Sequence, residues 1–158
     1  MDDFSAKPGV PNAYGLVGTQ ANAVGPGRRP LSSMTPTFVE TGDRVAVLGT
    51  PGGSRIITMV LLGVLATLDG ADAQTIVSAP RYHHQYLPDA VYYEPGAFTA
   101  AEQAELEARG FTLRSAGREY GNFHAVLWNT ASNQLDAAAD PRGIGTAAVR
   151  LAPAAESP

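Results

Sequence analysis

Thr37-Phe38-Val39-Glu40-Thr41-Gly42-Asp43-Arg44-Val45-Ala46-Val47-Leu48-Gly49-Thr50-Pro51-Gly52-Gly53-Ser54 runs from two short β patterns through a glycine pair into the longest apolar stretch of the chain. β-Branched residues flank the turn formers Thr41-Gly42-Asp43, so residues 37–40 and 44–48 are predicted to pair as a hairpin. Beyond Gly53, residues 54–68 carry apolar side chains nearly all round: Ile56, Ile57, Met59, Val60, Leu61, Leu62, Val64, Leu65 and Leu68. That pattern predicts a helix buried between layers rather than one lying on the surface. It is too short to cross a bilayer.

Working outward, residues 71–78 read as a second helix stopped by Pro80. A third opens at Thr99, where Thr99 and Glu102 have the spacing of a capping box; Leu106 helps form its apolar stripe and Gly110 ends it. The last third returns to β patterning at residues 111–114, 123–129 and 134–139, with Thr130-Ala131-Ser132-Asn133 joining the final two strands. Upstream, residues 1–36 are rich in glycine and proline without a sustained period, and predict an extended, loop-rich segment. Residues 152–158 read as a frayed tail. Strands, central helices and further strands predict one domain over residues 1–151, of layered α/β (α+β) class with a largely antiparallel sheet.

At 158 residues, with 44% hydrophobic and 16% charged residues, the chain can bury a real core. Its net charge of −4 argues against a general nucleic-acid or anionic-membrane surface and favours a small molecule or a protein as partner. It has no cysteine, which removes disulfides and thiolate chemistry. Met1-Asp2-Asp3-Phe4-Ser5 lacks a basic region and an apolar run, so it does not read as a signal peptide, and as written the chain is expected in the cytoplasm.

Gly52-Gly53-Ser54 stands where unpaired amides at a helix start meet the positive end of the macrodipole, and glycine admits a ligand close to the backbone. Such amides suit a developing oxyanion; the plainer alternative is a tight turn feeding a buried helix. No Gly-Lys-[Ser/Thr] follows, which excludes a Walker loop. Ser32 and Ser33, held ahead of Pro36, can both donate to one carboxylate, or form an ordinary serine turn. Asp2 and Asp3 can meet an ammonium group, or remain solvated charges. Taken together, an acid, a hydroxyl pair and backbone donors describe recognition of an amino-acid-like acyl donor.

Tyr82-His83-His84-Gln85-Tyr86 does not read as a metal site, because adjacent histidines point apart and no cysteine or nearby glutamate completes one; it reads as a packed or hydrogen-bonded loop. No metal or cofactor is expected. His124 reads as a core or surface histidine, and Asp140-Pro141-Arg142 as a local ion pair that fixes the chain after the last strand.

Several of these segments, in order, resemble the small catalytic subunit of the gamma-glutamyltransferases: Met1-Asp2-Asp3-Phe4, Arg28-Arg29-Pro30-Leu31-Ser32-Ser33-Met34, Pro51-Gly52-Gly53-Ser54-Arg55, Ala79-Pro80-Arg81-Tyr82-His83-His84-Gln85 and Asp140-Pro141-Arg142. The resemblance implies the N-terminal-nucleophile hydrolase fold, two antiparallel sheets between helical layers. It also implies passage of a gamma-glutamyl group, as from glutathione, to a threonine and then to water or an acceptor amino acid or peptide. Carried over by position, Asp3 would hold the donor's α-amine, Ser32 and Ser33 its α-carboxylate, and Gly52 and Gly53 would form the oxyanion hole. The large subunit of the same precursor would be the protein partner, and a complete member would be periplasmic or extracellular. The family's threonine lies in a Thr-His-x-Ser-Val-Val-Asp type segment some tens of residues before Met-Asp-Asp-Phe, which this sequence does not include. The large subunit's arginine is not included either, nor are the small subunit's first strands, which would leave an uncovered sheet edge. The chain is therefore expected to be inactive alone; the alternative is a non-catalytic module that binds gamma-glutamyl compounds or amino acids.

Overall fold

The computed structural model describes residues 4–5 and 7–150. The hairpin forms as its pattern predicts: β1 (Thr37–Glu40) pairs antiparallel with β2 (Arg44–Gly49), Thr37 opposite Leu48 and Glu40 opposite Val45. Strand β2 then pairs with β6 (His124–Asn129), and β6 with β7 (Gln134–Ala139), giving an antiparallel sheet in the order β1-β2-β6-β7. A second sheet has the order β3-β4-β5, from β3 (Tyr82–Gln85), β4 (Ala90–Tyr93) and β5 (Leu113–Ser115). Its β4–β5 pair is parallel, the others antiparallel.

Period-2 alternation divides the larger sheet into two faces. Ala46, Leu48, Ala125, Leu127 and Ala138 point inward and are buried against α1 (Arg55–Leu68) and α2 (Ala73–Ser78). From α1 come Ile56, Met59 and Val60; from α2, Ala73, Ile76 and Val77. Phe123 fills the centre, and its ring explains the glycine in mid-helix: a Cβ on Gly63 would lie 2.7 Å from Phe123 Cζ. On the opposite face Phe38, Val47 and Val126 stand in one cross-strand row, and Trp128 and Leu135 in another, all exposed among the described residues.

Helix α2 is capped by Asp72, which accepts from the Thr75 amide, and receives a second carboxylate when Asp136 of β7 accepts from the Ala73 amide at 2.7 Å. Helix α3 (Ala100–Ala108) has the capping box that Thr99 and Glu102 predict. Its Leu106 is only partly covered, and no residue of α3 is fully buried.

Two expectations fail. Residues 82–85 form strand β3 rather than a loop, because β4 offers a partner that the local pattern does not announce. Helix α1 is covered on one side only: Ile57, Leu61, Leu65 and Leu68 form an exposed stripe. Among the described residues no helix is long and apolar enough to cross a membrane. The predicted tail, 152–158, lies outside the described residues.

Candidate active site

The glycine pair sits at the mouth of α1 in backbone conformations that side-chain-bearing residues rarely adopt, with φ of 151° at Gly52 and 60° at Gly53. Their carbonyls accept from the Arg55 and Ile56 amides, which starts the helix. Their own amides donate to no other group among the described residues. A tight turn and a set of unpaired donors are thus the same piece of backbone, as expected at a helix N-terminus.

Gly52 borders a cleft of about 440 Å³ that is also lined by Tyr14, Ser54, Arg55, His83, Gln85 and Tyr92. Tyr14 closes over Gly53: a Cβ there would be 2.4 Å from its ring carbons. The bend that delivers Tyr14 is an Asx turn, in which Asn12 Oδ1 accepts from the Tyr14 and Leu16 amides.

Gln85 ties the walls of the cleft together. Its Oε1 accepts from Ser54 Oγ and His83 Nε2, both at 2.9 Å, while its Nε2 donates to the Leu87 carbonyl at 2.8 Å and the Tyr14 carbonyl at 3.3 Å. Because the amide oxygen can only accept, His83 carries its proton on Nε2, and its Nδ1 accepts from Thr58 Oγ1 on α1. Burial holds the His83 pKa below the usual histidine value, and the Arg55 charge adds to this against the opposing Gln85 bond. His83 is therefore a neutral strut at neutral pH. His84, one residue on, faces outward and pairs with Asp89 at 2.8 Å.

The serine pair lies apart from this cleft. Ser32 Oγ accepts from the Met34 amide at 3.2 Å, the serine-turn geometry, and the Ser33 carbonyl accepts from Thr35 Oγ1. The segment that follows, Met34-Thr35-Pro36, borders a small hollow with Gly49 and Thr50, just upstream of the glycines. Asp2 and Asp3 lie outside the described residues. His124 is exposed, its Nδ1 on the Asn122 carbonyl.

Asp140 and Arg142 do bond to each other at 3.2 Å, but within a larger buried clamp rather than a local pair. Arg81 reaches Asp140 at 2.6 Å, and Arg142 reaches Glu94 at 2.9 Å. Glu94 also accepts from the Arg81 and Tyr120 amides, and Asp140 from those of Phe123 and Arg142. Burial pushes the Asp140 pKa up, but those amides and Arg81 outweigh it and hold it below the ordinary carboxylate range. Burial likewise works against the charge on Arg142, and Glu94 and Asp140 prevail, raising its pKa.

The sequence reading missed Tyr14, the role of His83 and Gln85, and Arg81 and Glu94 in the clamp. Only Tyr14 had a local signal, the Asn12-Ala13-Tyr14-Gly15 turn. The rest depend on contacts across the fold.

The layered sheets and packed helices, with a glycine turn at the head of a helix, match solved gamma-glutamyltranspeptidases at TM-scores of 0.82 and 0.81, which places the domain in the N-terminal-nucleophile hydrolase class. The family model for gamma-glutamyltranspeptidase matches residues 1–150, and the chain belongs to that family. It is 49% identical over 148 residues to the glutathione hydrolase proenzyme of Escherichia coli strain K12, covering 91% of this chain and 25% of that protein. The corresponding proenzyme of Pseudomonas aeruginosa is 46% identical over 153 residues, 94% of this chain and 27% of its own. The chain thus spans about a quarter of the length of these relatives. A gamma-glutamyltranspeptidase structure from Pseudomonas nitroreducens, the W525D mutant, superposes with a TM-score of 0.82 at 44% identity, covering 96% of this chain and 79% of that one.

Proposed function

We propose that this chain supplies the donor-binding groups and the oxyanion hole for hydrolysis or transfer of a gamma-glutamyl group, with glutathione as the typical donor. The observation that carries this reading is the pair of unpartnered amides at Gly52 and Gly53, the first of them lining a cleft, in a chain of this family. In it, Asp3 meets the donor's α-ammonium group and Ser32 and Ser33 its α-carboxylate. The attacking hydroxyl is a threonine in a segment preceding residue 1, activated by its own α-amine. As it attacks the gamma carbonyl, negative charge develops on the oxygen and the two glycine amides receive it. A donor placed there before the reaction is worth about 3 kcal/mol to the transition state. Water or an acceptor amine then releases the acyl group. The large subunit of a common precursor completes the site, and the assembled protein works outside the cytoplasm.

The test is turnover of gamma-glutamyl-p-nitroanilide by the native, full-length protein. Release of nitroaniline, with KM raised about tenfold or more in Ser32→Ala and Ser33→Ala, is the expected result. A folded full-length protein that releases none contradicts the reading.

A further inference from the structure

Arg55 lines the cleft beside Gly52 and, among the described residues, is the only formally charged residue that does so. Its guanidinium lies over the Tyr120 ring, 4.4 Å from the centroid. A cation–π contact of this kind uses none of the guanidinium N–H donors in a hydrogen bond and leaves them for a ligand. Among the described residues Arg55 forms no ion pair and no hydrogen bond through its side chain. The arginines of the clamp, by contrast, are bonded to carboxylates and carbonyls.

Among the described residues no acid pairs with Arg55, and Glu94, the acid whose charge acts on the Tyr120 ring, is already bonded to Arg142. Burial, reinforced by Glu94, pushes the Tyr120 phenol up to about 12, so the ring below stays neutral. His83 is neutral too, and its Nε2–H is already given to Gln85. Among the described residues the cleft therefore has one fixed cation and no acid, with Ser54 and Gly52 close by.

We infer that Arg55 is the anchor for a carboxylate on the far side of the scissile amide, the terminal carboxylate of the peptide that leaves or accepts the acyl group. This rests on the gamma-glutamyl reading above. The donor's own α-carboxylate is assigned to Ser32 and Ser33, which do not line this cleft, so the charge at Arg55 serves a different group. The planar guanidinium fork matches a carboxylate in a bidentate manner, which a lysine reproduces only as a point charge.

The test compares glutathione with its glycine-amide analogue, identical except for the terminal charge, in the native full-length enzyme. Wild-type enzyme is expected to prefer the free acid by about ten- to a hundredfold in KM, the range of a charge-assisted contact. In Arg55→Gln that preference disappears, and in Arg55→Lys part of it returns. Turnover of the amide analogue in each variant reports that the cleft is still assembled. A preference that survives in Arg55→Gln, or wild-type enzyme that has none, overturns the assignment while leaving the gamma-glutamyl reading intact. Equal loss on both substrates overturns it too, by tying Arg55 to the shared donor. Wild-type enzyme inert on both overturns the functional reading and this inference with it.

Discussion

The clamp and the cleft are built from the same kinds of group and treat them in opposite ways. In the clamp, Arg81, Glu94, Asp140 and Arg142 are all nearly sealed from water, and each carboxylate accepts from backbone amides as well as from guanidinium groups. At the cleft, the Gly52 and Gly53 amides and the Arg55 guanidinium form no hydrogen bond or ion pair among the described residues. Charge that is satisfied inside the fold holds the fold together. Donors left unsatisfied at a cleft are available to a ligand.

If that division is right, the largest effect on stability comes from the clamp. Asp140→Ala leaves Arg81 without its carboxylate and orphans the Phe123 amide, so urea denaturation of the full-length protein is expected to show a loss of about 3–5 kcal/mol. A loss below about 1 kcal/mol would mean that the clamp is ornamental.

The cleft should show the reverse. Gly53→Val puts a Cβ into the Tyr14 ring and a β-branched side chain at φ 60°, which costs about 1–2 kcal/mol of stability. Turnover, however, is expected to fall by about 10²–10³-fold, as when an oxyanion donor is removed. Turnover that falls only in step with the folded fraction would reduce the glycines to a plain turn.

Acid separates the two regions again. The Asp140 pKa is lowered by folding, so its contribution to stability is complete above the ordinary carboxylate value of about 3.9 and is lost as pH falls below it. The His83 pKa is lowered from about 6.5, so its contribution is complete above that pH and declines as pH falls below it. A denaturation series should therefore weaken in two stages, and His83→Gln should remove the upper one only. A single stage near pH 4 in the wild-type protein would refute the buried, neutral histidine.

The smallest change expected is at α3, remote from both regions. Thr99→Ala removes the capping box and should cost about 1 kcal/mol, with kcat and KM unmoved. Altered kinetics there would show that the cleft is coupled to the rest of the domain.

What the sequence reveals about this fold is what short-range chemistry decides. The β1–β2 hairpin, helix α1, the Thr99–Glu102 box and the β6–β7 hairpin are each written in neighbouring residues. Strand β3 is not, since Tyr82-His83-His84-Gln85 has no apolar alternation and becomes a strand through pairing with β4. The same holds for the sites. Gly52 and Gly53 are legible as a helix-entry turn, and Asp140 and Arg142 as a pair. Arg81 lies 59 residues from its partner Asp140, and Glu94 lies 48 from Arg142, distances over which a lone sequence carries no signal. Gln85 reaches back 71 residues to the Tyr14 carbonyl for the same reason. The exposed α1 stripe misled because an apolar helix predicts burial without saying what buries it.

The most direct measurement is a crystal structure of the full-length protein with a tetrahedral gamma-glutamyl phosphonate. The account predicts one phosphonate oxygen about 2.7–3.1 Å from the Gly52 and Gly53 nitrogens, with Tyr14 displaced from its place over Gly53. A phosphonate bound elsewhere, with Tyr14 still covering Gly53 and both amides unused, would contradict it.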